Sequence, residues 1–149
     1  MSFGEREALT GLLTTLIVIA LFLWRLSGQH DAGLFDGPQA LQAWARSVLV
    51  LVAVSIPVAI AVTVAVHAGY AALSGEKDLD DRRDERDAQI ERRALAWAWY
   101  VLSFALLGVI VDLALGASAL RAMTLVLAAT AAAEVFKDIF KLALYRRGA

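Results

Sequence analysis

Two rows of polar side chains stand where the chain is otherwise apolar. Toward the C-terminus it places Thr130, Glu134, Lys137, Asp138, Lys141 and Tyr145. On a helix this spacing puts them all on one face. An earlier apolar stretch carries Thr63, His67, Tyr70 and Ser74, again on one helical face. A charged side chain inside a bilayer costs about 2.5–3.5 kcal/mol on insertion scales, so such residues need partners or a task. Intramembrane carboxylates and histidines mark ion, proton or substrate paths. His67 lies seven residues inward of Ser74, and Glu134 seven inward of Lys141. Both are then about 10 Å deep. The expectation is a polar, partly hydrated cavity open to the cytoplasm. His67 and Glu134 are its deepest titratable groups, with Thr63, Tyr70, Thr130, Lys137, Asp138 and Lys141 around them. Thr10, Thr14, Tyr100 and Ser103 fall in the same inner half. The competing reading is structural, with i,i+3 and i,i+4 ion pairs along one helix and lysine stems reaching the interface. One histidine and no cysteine in the group argue against zinc, and no cofactor is expected.

The elements that carry these rows are membrane spans. Hydrophobic residues make up 60% of 149, above the range of soluble domains. From Ser47 to Gly75 there is no Asp, Glu, Lys or Arg. Four segments, residues 9–26, 48–73, 94–115 and 119–144, are near or above the ~20 residues a helix needs to cross a bilayer. They are rich in Ala and Leu and do not alternate, which favours helices over a β-barrel. Glu5, Arg6 and Glu7 at its head argue that the first segment is not a cleavable signal. The predicted fold is an all-α integral membrane four-helix bundle, a single membrane domain over residues 1–149.

Lys and Arg orient it. Arg6, the six bases between Lys77 and Arg93, and Lys137, Lys141, Arg146 and Arg147 lie on one side; Arg25, Arg46 and Arg121 lie on the other. The positive-inside rule then places both termini and the 76–93 connection in the cytoplasm of a bacterial inner membrane. Gly28 and Gly33 mark the first outer loop, and Pro38 suits the first turn of the second helix. Residues 38–73 would span about 54 Å as one helix, so its start, with Trp44, belongs at the outer interface. Pro57 predicts a kink. Gly75 ends this helix, and Asp78 is a candidate N-cap for the next. Gly116 and Ser118 predict a tight outer turn with Ser118 capping the fourth helix, and Asp112 and Arg121 should pair across it. Ala61, Ala65 and Gly69 on the second helix, with Ala128/Ala132 and Ala129/Ala133 on the fourth, have the small-xxx-small spacing of close helix contacts. Helices two and four are therefore expected to pack together.

The 76–93 connection mixes eight acids with six bases. That is too balanced for a lipid-binding patch. It reads as a solvated helical extension with weak ion pairs, or as a docking surface for a cytosolic regulatory protein. The stretch D-E-R-D-A-Q-I-E-R-R-A at residues 84–94, then W-Y-V-L at 99–102, and K-L-A-L-Y-R-R-G at 141–148 resemble signatures of a small group of uncharacterised bacterial and archaeal membrane proteins. The resemblance covers about a fifth of the chain. It implies a four-span fold with Asp84, Glu85, Arg86, Asp87, Tyr145, Arg146 and Arg147 as signature positions, and no activity. On the shared cytoplasmic side, Arg146 or Arg147 is expected to clasp Asp84 or Asp87.

No phosphate loop, metalloprotease pair or activated nucleophile occurs, so an enzyme is not expected. Net charge −1 disfavours direct nucleic-acid binding. The expected function is a sensing or regulatory module in the lipid bilayer, its inner cavity coupled to the charged cytoplasmic helix. The alternatives are a small proton-coupled transporter or ion channel acting as a homo-oligomer, and a structural scaffold.

Overall fold

A computed structural model describes residues 3–74 and 85–147. Four helices follow one another: α1 (Phe3–Asp31), α2 (Ala40–Ser74), α3 (Glu85–Ala114) and α4 (Ala119–Arg146). Each is long and apolar enough to cross a membrane, and each covers one of the four segments marked in the sequence, except that Leu115 falls in the turn after α3. The chain has the architecture of a multi-pass helical membrane protein. Gly75, Asp78, Asp84 and the bases between Lys77 and Arg83 lie outside the described residues.

Local chemistry sets the boundaries. α1 runs through Gly28 and stops at Asp31, because glycine costs a helix only about 1 kcal/mol. Gly33, at φ +70°, makes the reversal. Pro38 precedes the first residue of α2 by two positions. α2 then continues as one helix past Pro57. Between α3 and α4 the chain turns at Gly116, φ +97°, a conformation that glycine alone adopts without strain. Ser118 caps α4 by accepting a hydrogen bond from the Arg121 backbone N–H at 3.3 Å. Asp112 and Arg121 close the turn with two contacts, Nε–Oδ2 and Nη2–Oδ1, both 3.0 Å.

The helices line up in the order α2–α1–α4–α3. α4 packs between α3 and α1, α1 packs between α4 and α2, and α2 meets α4 only marginally. The expected pairing of helices two and four is therefore corrected: α1 stands between them. The small residues of α2, Ala61, Ala65 and Gly69, are exposed. The small residues that do bring backbones together are Gly4 and Ala8 on α1, Ala94 and Ala98 on α3, and Ala122, Ala129 and Ala133 on α4. Of the two alanine pairs on α4, Ala129/Ala133 is buried and Ala128/Ala132 is exposed.

The rest of the interior is thin. Phe136 stacks on Phe140 at 5.7 Å between ring centres, and Trp97 of α3 leans on Phe140 at 6.4 Å. At the end of the bundle away from the termini Ser47 of α2 is 1% exposed and donates to Gln29 Oε1 of α1 at 2.6 Å. Most large apolar side chains, among them Leu49, Ile56, Ile60 and Val64 of α2 and Phe104, Leu107 and Ile110 of α3, point outward. In water such a surface would aggregate. In a bilayer it faces hydrocarbon as apolar as itself.

Candidate functional site

An open polar pocket of about 610 Å³ lies among the four helices, in the half that carries the chain termini. α4 supplies Glu134, Lys137, Asp138 and Lys141; α2 supplies Thr63 and His67. These six are among the eight residues expected to line a cavity. The two polar rows do share one space, although their helices barely touch, because the pocket is the gap that α1 leaves between them. α1 contributes Glu7, Thr10, Gly11, Thr14 and Thr15, and α3 contributes Glu91.

The remaining two expected residues lie elsewhere. Tyr70 sits beneath the Arg6 guanidinium, whose carbon is 4.9 Å from the ring centre, a cation–π contact. Thr130 is exposed and donates to its own helix, to Val126 O at 2.9 Å. Thr130 shares the face of Glu134 and Lys141 but lies one helical turn beyond Glu134, where the lining of the pocket ends.

Within the pocket the ion pairs run two ways. Lys137 pairs with Glu134 one turn away on the same helix, as the structural reading of α4 expects. Lys141 instead crosses to α3 and meets Glu91 at 3.5 Å. Lys141 is only 6% exposed, so its ammonium depends on that carboxylate. Asp138 is 4% exposed and lines the pocket, packed against the bare backbone of Gly11. A methyl group at Gly11 would come within 2.6 Å of Asp138 Oδ2, so glycine is what lets α1 approach that carboxylate.

The hydroxyls and the imidazole are turned inward on their own helices. Thr10 donates to Arg6 O at 2.8 Å, and Thr63 donates to Ala59 O at 2.7 Å. His67 Nδ1 donates to Thr63 O at 2.8 Å. That bond places the proton on Nδ1 and directs Nε2 away from the backbone.

Beyond the pocket, the start of α3 and the end of α4 meet near the chain termini. Tyr145 Oη donates to Asp87 Oδ1 at 2.8 Å. Of the terminal cluster it is Tyr145 that bonds Asp87, while Arg146 and Arg147 are exposed; the part of the expected clasp that involves Asp84 lies outside the described residues. The reason is geometric. Tyr145 lies one turn after Lys141 and faces α3 with it, while the two arginines rotate away and reach solvent. Glu85 and Arg86 are exposed in the first turn of α3, and Asp84 lies outside the described residues. Gly4 of α1 completes this junction. A Cβ there would fall 1.9 Å from Tyr145 Oη and 3.1 Å from Asp87 Oδ1.

Several of these residues do not stand out as site residues from the pattern. Glu7, Thr10 and Thr14 have an i, i+3, i+7 spacing that marks a face of α1, but Glu7 reads as part of a charged head. Arg6, at 2% exposed, reads as a positive-inside charge. Glu91 is hidden among the eight acids of the connection. Gly4 and Ala8 do have the small-xxx-small spacing of a contact face, a signal that the frequency of alanine obscures; Gly11 has no such glycine or alanine partner. Compared with known protein families, curated proteins and solved structures, the chain shows no significant match to any.

Proposed function

We propose that the chain is a non-enzymatic sensing or regulatory module of the bacterial inner membrane, with both termini in the cytoplasm. In this reading, occupancy of the inner pocket changes the state of the cytoplasmic start of α3, and a cytosolic protein reads that change. One observation carries it: α3 and α4 are joined by a two-rung ladder, Glu91–Lys141 and Asp87–Tyr145. The upper rung lines the pocket, and the lower rung lies one turn further into the cytoplasm on both helices. Whatever displaces Lys141 is felt at Asp87, where the charged 76–93 connection begins its helix.

Transport through a single copy has less support. Outward of the pocket, residues 16–24, 49–62, 101–111 and 122–133 contain no Asp, Glu, Lys, Arg or His. An ion would meet hydrocarbon-like walls there. A binding site closed toward the outside suits recognition better than passage.

Hydrogen exchange of the chain reconstituted in lipid tests the coupling. Lys141→Met removes the upper rung and keeps the helix. It should speed exchange across residues 85–93 several-fold while the outer half of α4 keeps its protection. If residues 85–93 exchange as in the wild type, the pocket does not communicate with the cytoplasmic segment and the reading fails. Proton or sodium flux into liposomes that Glu134→Gln abolishes would replace it with transport.

A further inference from the structure

The pocket is rich in acceptors, and its cations are already held. Four carboxylates line it, Glu7, Glu91, Glu134 and Asp138, against two lysines. Lys137 is held by Glu134, and Lys141 by Glu91. Asp138 makes a hydrogen bond or close ion pair with neither, although both lysines lie near enough to act on its charge. Lys137 is its chain neighbour and projects about 100° around the helix, and Lys141 is drawn across to α3. One step further up the α3–α4 ladder, the residue of α3 at the level of Asp138 is Ala94, 0% exposed and without a donor. Asp138 is thus a carboxylate, 4% exposed, facing the cavity with no hydrogen bond or close ion pair from any described residue.

Its surroundings repeat the same polarity. Thr10 and Thr63 commit their hydroxyl protons to Arg6 O and Ala59 O, which leaves only lone pairs for the cavity. His67 commits its Nδ1 proton to Thr63 O, which leaves Nε2 as the ring atom available to the cavity. Thr14 and Thr15 add hydroxyls that can donate or accept, but among the described residues none donates to Asp138, and a buried carboxylate without a donor is costly while empty. A cation with several N–H donors satisfies all of these groups at once.

We infer that the pocket binds an organic cation bearing N–H donors, a primary ammonium or guanidinium group, with Asp138 as its counter-ion. This rests on the pocket being a ligand site, as proposed above, and names what it takes. A metal ion fits less well. Among the described residues no cluster of three or more His, Cys, Asp or Glu is close enough to hold one. A volume of about 610 Å³ also suits a small organic molecule. The cation has two sources at this depth: a soluble amine from the cytoplasm, or the ammonium headgroup of an inner-leaflet lipid.

The full chain in phosphatidylcholine nanodiscs, whose headgroups carry no N–H, separates the two. Putrescine and agmatine are titrated calorimetrically as soluble probes. In a second arm, phosphatidylethanolamine is added and its retention on the protein is measured by native mass spectrometry. Saturable one-site binding of a soluble probe, or stoichiometric retention of phosphatidylethanolamine, is the expected result and identifies the source. Asp138→Asn should weaken whichever is bound by roughly 10- to 150-fold, the loss of one charge-assisted hydrogen bond. Gly11→Ala keeps the charge but pushes the carboxylate aside, favours the helix, and should also weaken binding. Unchanged affinity in Gly11→Ala and in a folded Asp138→Asn overturns the proposal, as does absence of binding in both arms. Tighter binding of succinate than of either amine overturns the cation assignment while leaving the pocket a ligand site.

Discussion

Gly4 offers the sharpest test of how the junction near the termini is built, because three helices meet there at one hydrogen bond. Gly4→Ala sets a methyl 1.9 Å from Tyr145 Oη and 2.8 Å from Cζ of the same ring. Ordinary contact begins near 3.4 Å, so the hydroxyl has to retreat by about 1.5 Å. A displacement of that size breaks the 2.8 Å bond to Asp87. Losing a hydrogen bond to a charged acceptor at this half-buried site costs about 1–2 kcal/mol. Overpacking adds about 1–3 kcal/mol, and alanine's better helix propensity returns about 0.5–1 kcal/mol. The net is a destabilisation of about 2 kcal/mol. In a Tyr145→Phe background the bond is already gone and the nearest atom is the ring carbon, so Gly4→Ala should cost under about 1 kcal/mol. The coupling between the two changes is then about 1–2 kcal/mol. Equilibrium unfolding in mixed micelles, monitored by tryptophan fluorescence with Trp97 on α3 against Phe140 of α4 as reporter, measures all four corners of the cycle. Costs that simply add would refute the reasoning: Gly4 would not be the seat of the Tyr145 hydroxyl.

Three further expectations concern topology and the outer side. Single cysteines at Ser2, Asp80 and Gly148 should resist a membrane-impermeant thiol reagent in intact cells while one at Gly33 reacts; labelling at Asp80 without lysis would invert the orientation and remove the cytoplasmic partner. Ser118→Ala removes the cap of α4 and should lower stability by about 0.5–2 kcal/mol, and Ser118→Asp should restore most of it in the same unfolding assay. Ser47→Ala leaves Gln29 Oε1 without its α2 donor and should cost about 0.6–1.5 kcal/mol, with no effect on exchange in residues 85–93; a change there would mean that the outer and inner halves are coupled.

Solvation and local chemistry make the four spans legible without coordinates. Long uncharged runs of Ala, Leu and Val have a low-energy form in a bilayer as helices, because every backbone group must be satisfied within the segment. Ser118 as a cap, Gly116 as a reversal and the Asp112–Arg121 pair are legible for a related reason, since each acts over a few residues. The polar rows are legible too: charges in hydrocarbon stand out, and a helix's periodicity says which of them share a face.

Which helix faces which is settled only in three dimensions. Small-residue spacing on α2 and α4 suggests contact, yet alanine is so frequent here that the pattern recurs on faces turned outward, and α1 stands between the two. That placement makes Gly4 and Gly11 contact points and brings Glu7 and Glu91 to the pocket. It also sends Lys141 across to α3, leaves Asp138 opposite Ala94, and selects Tyr145 over two arginines as the partner of Asp87. In a membrane the apolar faces of all four helices are nearly equivalent to lipid, so hydrophobicity cannot rank their pairings. The choice falls to close backbone approach and a few polar contacts, which exist only once side chains distant in the sequence have been brought to the same place.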